Sequence, residues 1–176
     1  MTRSVALRCQ NAQAALEAKQ SIFARQQELE DIVHSTSRFA RLIGLNAQII
    51  GNLLYLRFEC ATGDASGHNM VTKAADALLS WILKEYPQLE YSTISANFCT
   101  DKKVSAVNGI LGRGKNIIAE MNIPRDICEK MLRTSPEKIM QLNIEKNLLG
   151  GIVAGSLRSA NAHFANMLLA FYLATG

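Results

Sequence analysis

Residues 53–60 read L-L-Y-L-R-F-E-C, and their alternation constrains the fold more than any other stretch. Leu54, Leu56, Phe58 and Cys60 fall on one side, and Tyr55, Arg57 and Glu59 on the other. A period of two places successive side chains on opposite faces, so the run predicts a strand with one apolar face. Residues 38–50 carry a second strand-like run. Gly51-Asn52 between the two is a hairpin signal, because a two-residue turn favours positive φ. The chain is therefore expected to contain an antiparallel sheet whose apolar face needs a cover.

Helices are available to supply that cover. Residues 11–33 are rich in Ala, Gln, Glu and Lys, with Ala15, Ile22, Leu29 and Ile32 at helical spacing, and predict a surface helix interrupted at Ser35–Ser37. Met70, Ala74, Ala77, Leu78 and Trp81 predict another, running to about Tyr86 and ended by Pro87. A strand is expected around 90–98. From 105 onward the texture changes. A glycine-rich hairpin is expected over 109–123 and a short helix over 125–134. Pro136 then opens a mostly helical tail, broken at Gly150-Gly151 and again at Gly155.

Composition sets outer bounds. With 176 residues the chain can bury a sizeable core, and 48% apolar content is an ordinary globular value. A net charge of +4 suits an anionic ligand but is too weak to argue for nucleic acid. Cys9, Cys60, Cys99 and Cys128 form no C-x-x-C pair, which argues against a zinc site and a disulfide framework and fits a reducing, cytoplasmic setting. Residues 1–20 lack a signal-peptide pattern. The uncharged run 159–176 contains two Asn and a His, and predicts a buried amphipathic helix rather than a membrane span. Its apolar pattern continues almost to Gly176, as expected of a stretch drawn from a longer chain.

Five motifs bear chemistry. The loop G-D-A-S-G-H-N-M (63–70) precedes a helix start, where glycines allow close backbone approach and free N–H groups attract anions. It is not G-x-G-x-x-G, and it also reads as an ordinary capped helix with Asp64 or Ser66 as N-cap. G-I-L-G-R-G-K-N (109–116) approaches the P-loop pattern, but Asn116 stands where a Ser or Thr should meet Mg²⁺, which favours a glycine-rich turn. Ser37-Arg38 is either an exposed strand start or a phosphate contact suited to guanidinium geometry. Asn161, His163 and Asn166 interrupt an apolar helix, and a structural polar network accounts for them equally. Finally, Asp101-Lys102-Lys103 follows an apolar run. Such a triplet is commonly a solvated turn, yet a Lys beside an Asp can also stabilise an oxyanion.

Six runs, in order along nearly the whole chain, resemble the catalytic region of hydroxymethylglutaryl-CoA reductases of the eukaryotic type (class I). They are S-T-S-R-F-A-R-L (35–42), G-D-A-S-G-H-N-M (63–70), N-F-C-T-D-K-K (97–103), G-R-G-K (112–115), N-I-E-K-N-L-L-G (143–150) and N-A-H-F-A-N (161–166). The resemblance implies an α+β chain. Residues 1–3 would be a remnant of the large domain and 4–92 a small ferredoxin-like NADP-binding domain. Residues 93–105 would form a crossover loop carrying the catalytic lysine, and 106–176 a mainly helical part of the large substrate and CoA domain.

The resemblance also implies roles. The cofactor would be NADPH, held by Ser37, Arg38 and Phe39 at the 2′-phosphate and by Asp64, Ser66, Gly67, His68, Asn69 and Met70 in the loop. Ser66 and His68 stand where methionines are typical of the animal enzymes. Lys102 would stabilise the oxyanion, with Asn166 orienting it. Arg3, Ser95, Asp101, Lys103 and Lys146 would hold hydroxymethylglutaryl-CoA, and His163 would lie near the acyl-CoA end. The family's catalytic Glu, Asp and His fall outside the matched stretch, so residues 1–176 alone are expected not to turn over. Sites of this family form across a subunit interface, which implies a homo-oligomer, exposed apolar surface, no nucleic-acid partner and no membrane segment here. The competing readings are a P-loop-like nucleotide-binding protein using Gly109–Asn116 and a basic α/β nucleic-acid-binding module.

Overall fold

A computed structural model of the protein describes residues 1–99, 118–156 and 164–176. Its first part runs β1 (Thr2–Arg8), α1 (Ala12–Ala24), α2 (Gln26–Thr36), β2 (Arg41–Ile50), β3 (Leu53–Ala61), α3 (His68–Glu85) and β4 (Glu90–Thr93). Among the described residues the strands form one antiparallel sheet in the order β2-β3-β1-β4. Helix and strand are mixed, as an α+β chain requires.

The β2–β3 hairpin follows the sequence pattern closely. Ile50 pairs with Leu53 across the Gly51-Asn52 turn, and Gly51 takes φ +58, which costs glycine little. Leu54, Leu56, Phe58 and Cys60 enter one core together with Val5 and Leu7 of β1. Ile22 of α1, Leu29 and Val33 of α2, and Val71, Leu78 and Ile82 of α3 cover them, all essentially inaccessible. Each such side chain contributes about 1.5–3 kcal/mol relative to exposure. The alternate residues face the other way. Ala6, Leu53 and Tyr55 form a second, smaller cluster with Ala96, against which Phe98 and Leu149 pack. Both faces of the sheet are therefore covered in its middle.

Several local expectations are corrected. The helix expected over 11–33 is two helices that meet at Arg25 (φ −104, ψ 33). Arg25 is held there by ion pairs to Glu28 and Glu85 and stacks 4.3 Å from the Trp81 ring. These contacts draw the chain across α3 in a way that helix periodicity does not reveal. β1 occupies the sheet between β3 and β4, yet no strand was anticipated there. Its alternation rests on Val5 and Leu7 against Ser4 and Ala6, a weak contrast over few residues. β4 stops at Thr93, short of the expected 98.

After residue 117 the described elements are α4 (Arg125–Met131), α5 (Pro136–Leu142), a π-helical segment (Asn143–Gly150), α6 (Gly151–Val153) and α7 (Phe164–Thr175). The expected break at Gly150-Gly151 is absent, and the helix continues through both residues before ending near Gly155 (φ +76). Gly150 has a different use. A Cβ on it would lie 2.0 Å from the Ala96 carbonyl oxygen, so the residue permits close backbone contact rather than a bend. The burial expected of α7 is likewise overturned. Met167, Leu168, Leu169, Phe171, Tyr172 and Leu173 are each more than half exposed. A helix apolar on all sides requires partners all round, and the described residues provide none at these positions. Among the described residues no helix is long and apolar enough to cross a membrane, and no His, Cys, Asp and Glu cluster is arranged to hold a metal.

Candidate functional site

Two places gather the residues singled out by sequence. The first is the start of α3. Gly67 precedes the helix in the left-handed region (φ 80), without a side-chain cap, which corrects the expectation of Asp64 or Ser66 as N-cap. Ser66 Oγ instead lies 2.8 Å from His68 Nδ1, and Thr62 Oγ1 donates to the Ala65 carbonyl at 2.8 Å. A Cβ on Gly67 would sit 2.4 Å from the Thr62 side chain, so both its backbone angle and its surroundings demand glycine. The first intrahelical bond runs from Val71 N to the Gly67 carbonyl. The N–H groups of His68, Asn69 and Met70 therefore have no partner within the helix and stand at the positive end of its dipole. An open cavity lies over Ala65–Met70.

The segment Ser37–Phe39 comes to the same place. Phe39 lies against Gly63, 3.9 Å from where a Cβ would project, and Lys73 Nζ donates to the Thr36 carbonyl at 3.1 Å. The Phe39 ring is 53% exposed, and the Arg38 guanidinium stacks over it at 4.6 Å. Ser37 Oγ accepts from Phe39 N at 3.2 Å, and Arg41 holds the Arg38 and Ala40 carbonyls, which fixes the path of this turn. Two stretches separated by about two dozen residues of hairpin thus present a cation, exposed helix N–H groups and a glycine loop side by side. That donor set can accept a multiply charged phosphate ligand.

The second place is the other face of the sheet, where the segment after β4 and the π-helical segment meet β1 and β3. Ala96 N donates to the Ser4 carbonyl at 2.9 Å, Ser95 N to Thr93 Oγ1 at 3.1 Å, and Asn97 Nδ2 to Asn147 Oδ1 at 3.1 Å. Asn97 is buried and takes φ +61. Ser95 and Lys146 both belong to this region, and Lys146 is only 8% exposed. Arg3 does not join them on that face. It pairs opposite Phe58 and so shares the helix side of β1 with Val5 and Leu7. Its Nε is buried without a hydrogen-bond partner among the described residues. Asp101, Lys102, Lys103, Asn161, His163, the side chain of Asn166, the P-loop-like run 109–116 and most of the expected hairpin 109–123 lie outside the described residues.

The strongest polar constellation was not singled out from sequence. Arg8 donates to both Glu145 carboxylate oxygens, Nε to Oε1 at 2.6 Å and Nη2 to Oε2 at 3.0 Å. Ser92 Oγ and Gln141 Nε2 add to the same carboxylate, and Tyr55 OH donates to the Glu145 carbonyl at 2.6 Å. Glu90 stands 3.8 Å from Arg8 on its outer side. Burial pushes the Glu145 carboxyl up. The Arg8 and Ser92 hydrogen bonds, the Arg8 charge and Gln141 outweigh that, and the group is held below the usual carboxylate range. Burial, reinforced by the Glu145 charge, pushes the Tyr55 phenol up to about 12. The available signal was a Glu-Lys pair set in an apolar tail. Its partner Arg8, 137 residues away, carries no local mark.

A pH dependence follows. Because the folded value of Glu145 is depressed, its contribution is complete above the unfolded carboxylate value of about 4.3 and is lost as pH falls through the folded value. Denaturant melts of the chain and of Glu145→Gln should differ near neutrality and converge below pH about 4. The neutral difference should fall short of the ~3–5 kcal/mol of a fully buried pair, because the Arg8 side chain is 27% exposed. A gap independent of pH would contradict this account.

Comparison with known proteins finds relatives over the whole chain. The family profile described as hydroxymethylglutaryl-coenzyme A reductase matches residues 1–176. The whole chain is 48% identical to the 3-hydroxy-3-methylglutaryl-coenzyme A reductase of Pyrococcus horikoshii, of which it covers 43%. It is 43% identical to the reductase 2 of Dictyostelium discoideum, covering 34% of that protein. It is 42% identical to the reductase of Blattella germanica, covering 21% of it. The chain thus spans less than half the length of these curated relatives. Neither the P-loop-like nor the nucleic-acid reading is favoured by these matches, and Tyr55 and Phe58, two of the aromatics a stacking sheet would need, are fully buried. The chain belongs to the hydroxymethylglutaryl-coenzyme A reductase family.

Proposed function

We propose that residues 1–176 are the NADPH-binding and partial catalytic region of an enzyme that reduces (S)-3-hydroxy-3-methylglutaryl-CoA to mevalonate, with release of CoA. The observation that carries this reading is the convergence of Ser37–Phe39 on the Gly63–Met70 loop at the N-terminus of α3. In this reading Arg38 and Ser37 take the adenosine 2′-phosphate, Phe39 lies beside the adenosine, and Asp64, Ser66, Gly67, His68, Asn69 and Met70 form the loop contact. The succession β-α-α-β-β-α-β with sheet order β2-β3-β1-β4 supports a ferredoxin-like small domain over 4–92. Residues 93–105 then serve as the crossover and 106–176 as part of the large domain.

When bound, NADPH supplies the hydride for each of two reductions. Conversion of one thioester to an alcohol consumes two NADPH and two protons and yields CoA and two NADP⁺. Lys102 stabilises the negative charge that develops on the carbonyl oxygen, with Asn166 orienting it. Ser95, Asp101, Lys103 and Lys146 hold the carboxylate and hydroxyl of the substrate, and His163 sits toward the acyl-CoA end; Arg3, on the helix side of β1, is not grouped with Ser95 and Lys146. The family resemblance assigns the proton-handling Glu, Asp and His to positions outside residues 1–176. This stretch by itself is therefore proposed to bind nucleotide without turning over. The exposed apolar side of α7 supports a homo-oligomer with the site across its interface, and the thiol pattern supports a cytoplasmic setting.

The test is an assay of the full-length protein. NADPH oxidation should depend on hydroxymethylglutaryl-CoA and should consume two NADPH per CoA released. A folded, nucleotide-saturated protein with no such activity would dismiss the reading.

A further inference from the structure

We propose that Arg57 is a positioning residue for Lys102, acting through the ring of Phe98. The inference rests on the reading of Lys102 as the oxyanion donor. It gives a role to a cation of β3 that neither the motifs nor the family comparison singles out.

Arg57 stands on the second face of the sheet with Ala6 and Tyr55, opposite Ser4 of β1 and Asn46 of β2. Its side chain is only 22% exposed. Its Nε is buried without a hydrogen-bond partner, as is the Oγ of Ser4 across the ladder. An apolar residue would cover this face without leaving a donor unpaired, which costs free energy. What the guanidinium supplies instead is direction. Glu59 accepts from Arg57 Nη2 and, at 2.9 Å, from Asn46 Nδ2, so the carboxylate ties the arginine to β2. Gly44, opposite Glu59, leaves room for that carboxylate, since a Cβ there would lie 3.0 Å from its Oε2. Held from that side, the guanidinium carbon stands 5.6 Å from the Phe98 ring centroid, within cation–π range. Tyr55 meets the same ring edge-on, with centroids 6.3 Å apart.

Phe98 ends a turn whose preceding residues are each fixed. Ser95 N is held by Thr93 Oγ1, Ala96 N by the Ser4 carbonyl, and Asn97 Nδ2 by Asn147 Oδ1. Asn97 keeps φ +61, which a non-glycine residue holds only where its surroundings over-determine it. These bonds set where the chain arrives at Phe98. Arg57 and Tyr55 then fix the ring, and with it the direction in which the backbone leaves Phe98. Lys102 follows four residues later. A lysine is a point charge on a flexible four-carbon stem, so its aim depends on the backbone that carries it. Ser37–Phe39 and Gly63–Met70, proposed to hold the nucleotide, belong to other segments. Arg57 should therefore act on the chemistry and not on nucleotide binding.

The test uses the full-length enzyme with Arg57→Met, Arg57→Lys and Phe98→Leu, and with Arg57→Met and Phe98→Leu each repeated in a Lys102→Ala background. For each variant kcat, KM for hydroxymethylglutaryl-CoA and for NADPH, and melting temperature are read. Arg57→Met keeps most of the stem and removes the cation. It should lower kcat by about tenfold, since small displacements of a reacting group carry large kinetic costs, with KM for NADPH within about twofold. Phe98→Leu should do the same. Arg57→Lys, which keeps a cation over the ring, should recover part of the loss. In the Lys102→Ala background Arg57→Met should have almost no further effect on kcat, because residues that act as a unit are not additive. An arginine that only stabilises the fold would lower kcat by the same factor in both backgrounds. If Lys102→Ala keeps full activity, the oxyanion reading fails and the positioning role with it. If Lys102→Ala is impaired while Arg57→Met leaves kcat unchanged, or lowers it equally with and without Lys102, the positioning role alone is overturned. Should Arg57→Met not fold, Phe98→Leu in the two backgrounds decides by the same criteria.

Discussion

Replacing Lys102 with Ala in the full-length enzyme should lower kcat by about 10²–10³-fold, the usual cost of removing one donor from an oxyanion site. The proposed reduction would build negative charge on a thioester oxygen and then on an aldehyde oxygen, and a fixed ammonium is worth most at those moments. Asp101-Lys102-Lys103 is a triplet of charges in a chain with only 19% charged residues. It follows a segment whose neighbours Ala96 and Asn97 are tied to β1 and to the π-helical segment. The nucleotide site proposed at α3 uses other residues, so NADPH affinity should stay within about twofold, as expected for a group that acts in the transition state rather than in binding. Lys102→Arg should not restore the rate, because a planar fork replaces a point charge. Full activity in Lys102→Ala would remove this lysine from the chemistry.

Gly150→Ala should be the most damaging single-methyl change among the described residues. The added Cβ would meet the Ala96 carbonyl oxygen at 2.0 Å, far inside contact distance, and the obstacle is backbone rather than a side chain that can turn away. Overpacking of this kind typically costs about 1–3 kcal/mol, occasionally more. Here relief requires the 94–98 segment and the π-helical segment to separate, which would also pull Asn97 from Asn147 and loosen Glu145 against the sheet. Thermal melts should show the destabilisation, and KM for the acyl-CoA should rise in parallel. Gly155→Ala is the control, since nothing lies within 4 Å of a Cβ there and only its positive φ opposes the change. Equal stability of Gly150→Ala and the parent protein would contradict the close packing described.

What could be read from the sequence divides along the range of the forces involved. The β2–β3 hairpin was legible because alternation and turn chemistry are both local, and α3 because its apolar spacing and Pro87 are local too. β1 was missed although it joins the sheet's outer strand to its hairpin, since Ser and Ala on one face give almost no contrast. The division at Arg25 depends on Glu85 and Trp81, about sixty residues away. Gly150 looked like a helix breaker because glycine usually is one in isolation, and only the approach of Ala96 explains it. The Arg8–Glu145 clasp is wholly a product of tertiary structure. The proposed nucleotide site was better marked. Its glycine loop and the Ser-Arg-Phe turn were each ambiguous alone, and the fold places one against the other.

The central claim is that this juxtaposition binds NADPH through its 2′-phosphate. The most direct measurement is a titration of the chain with NADPH and NADH, followed by nucleotide fluorescence, beside Arg38→Ala. The account predicts tighter binding of NADPH than of NADH. It also predicts that Arg38→Ala weakens NADPH by about 10–100-fold, the scale of a charge-assisted hydrogen bond, while leaving NADH nearly unchanged. A folded chain that shows no binding at millimolar NADPH, or that binds both nucleotides equally with and without Arg38, would contradict it.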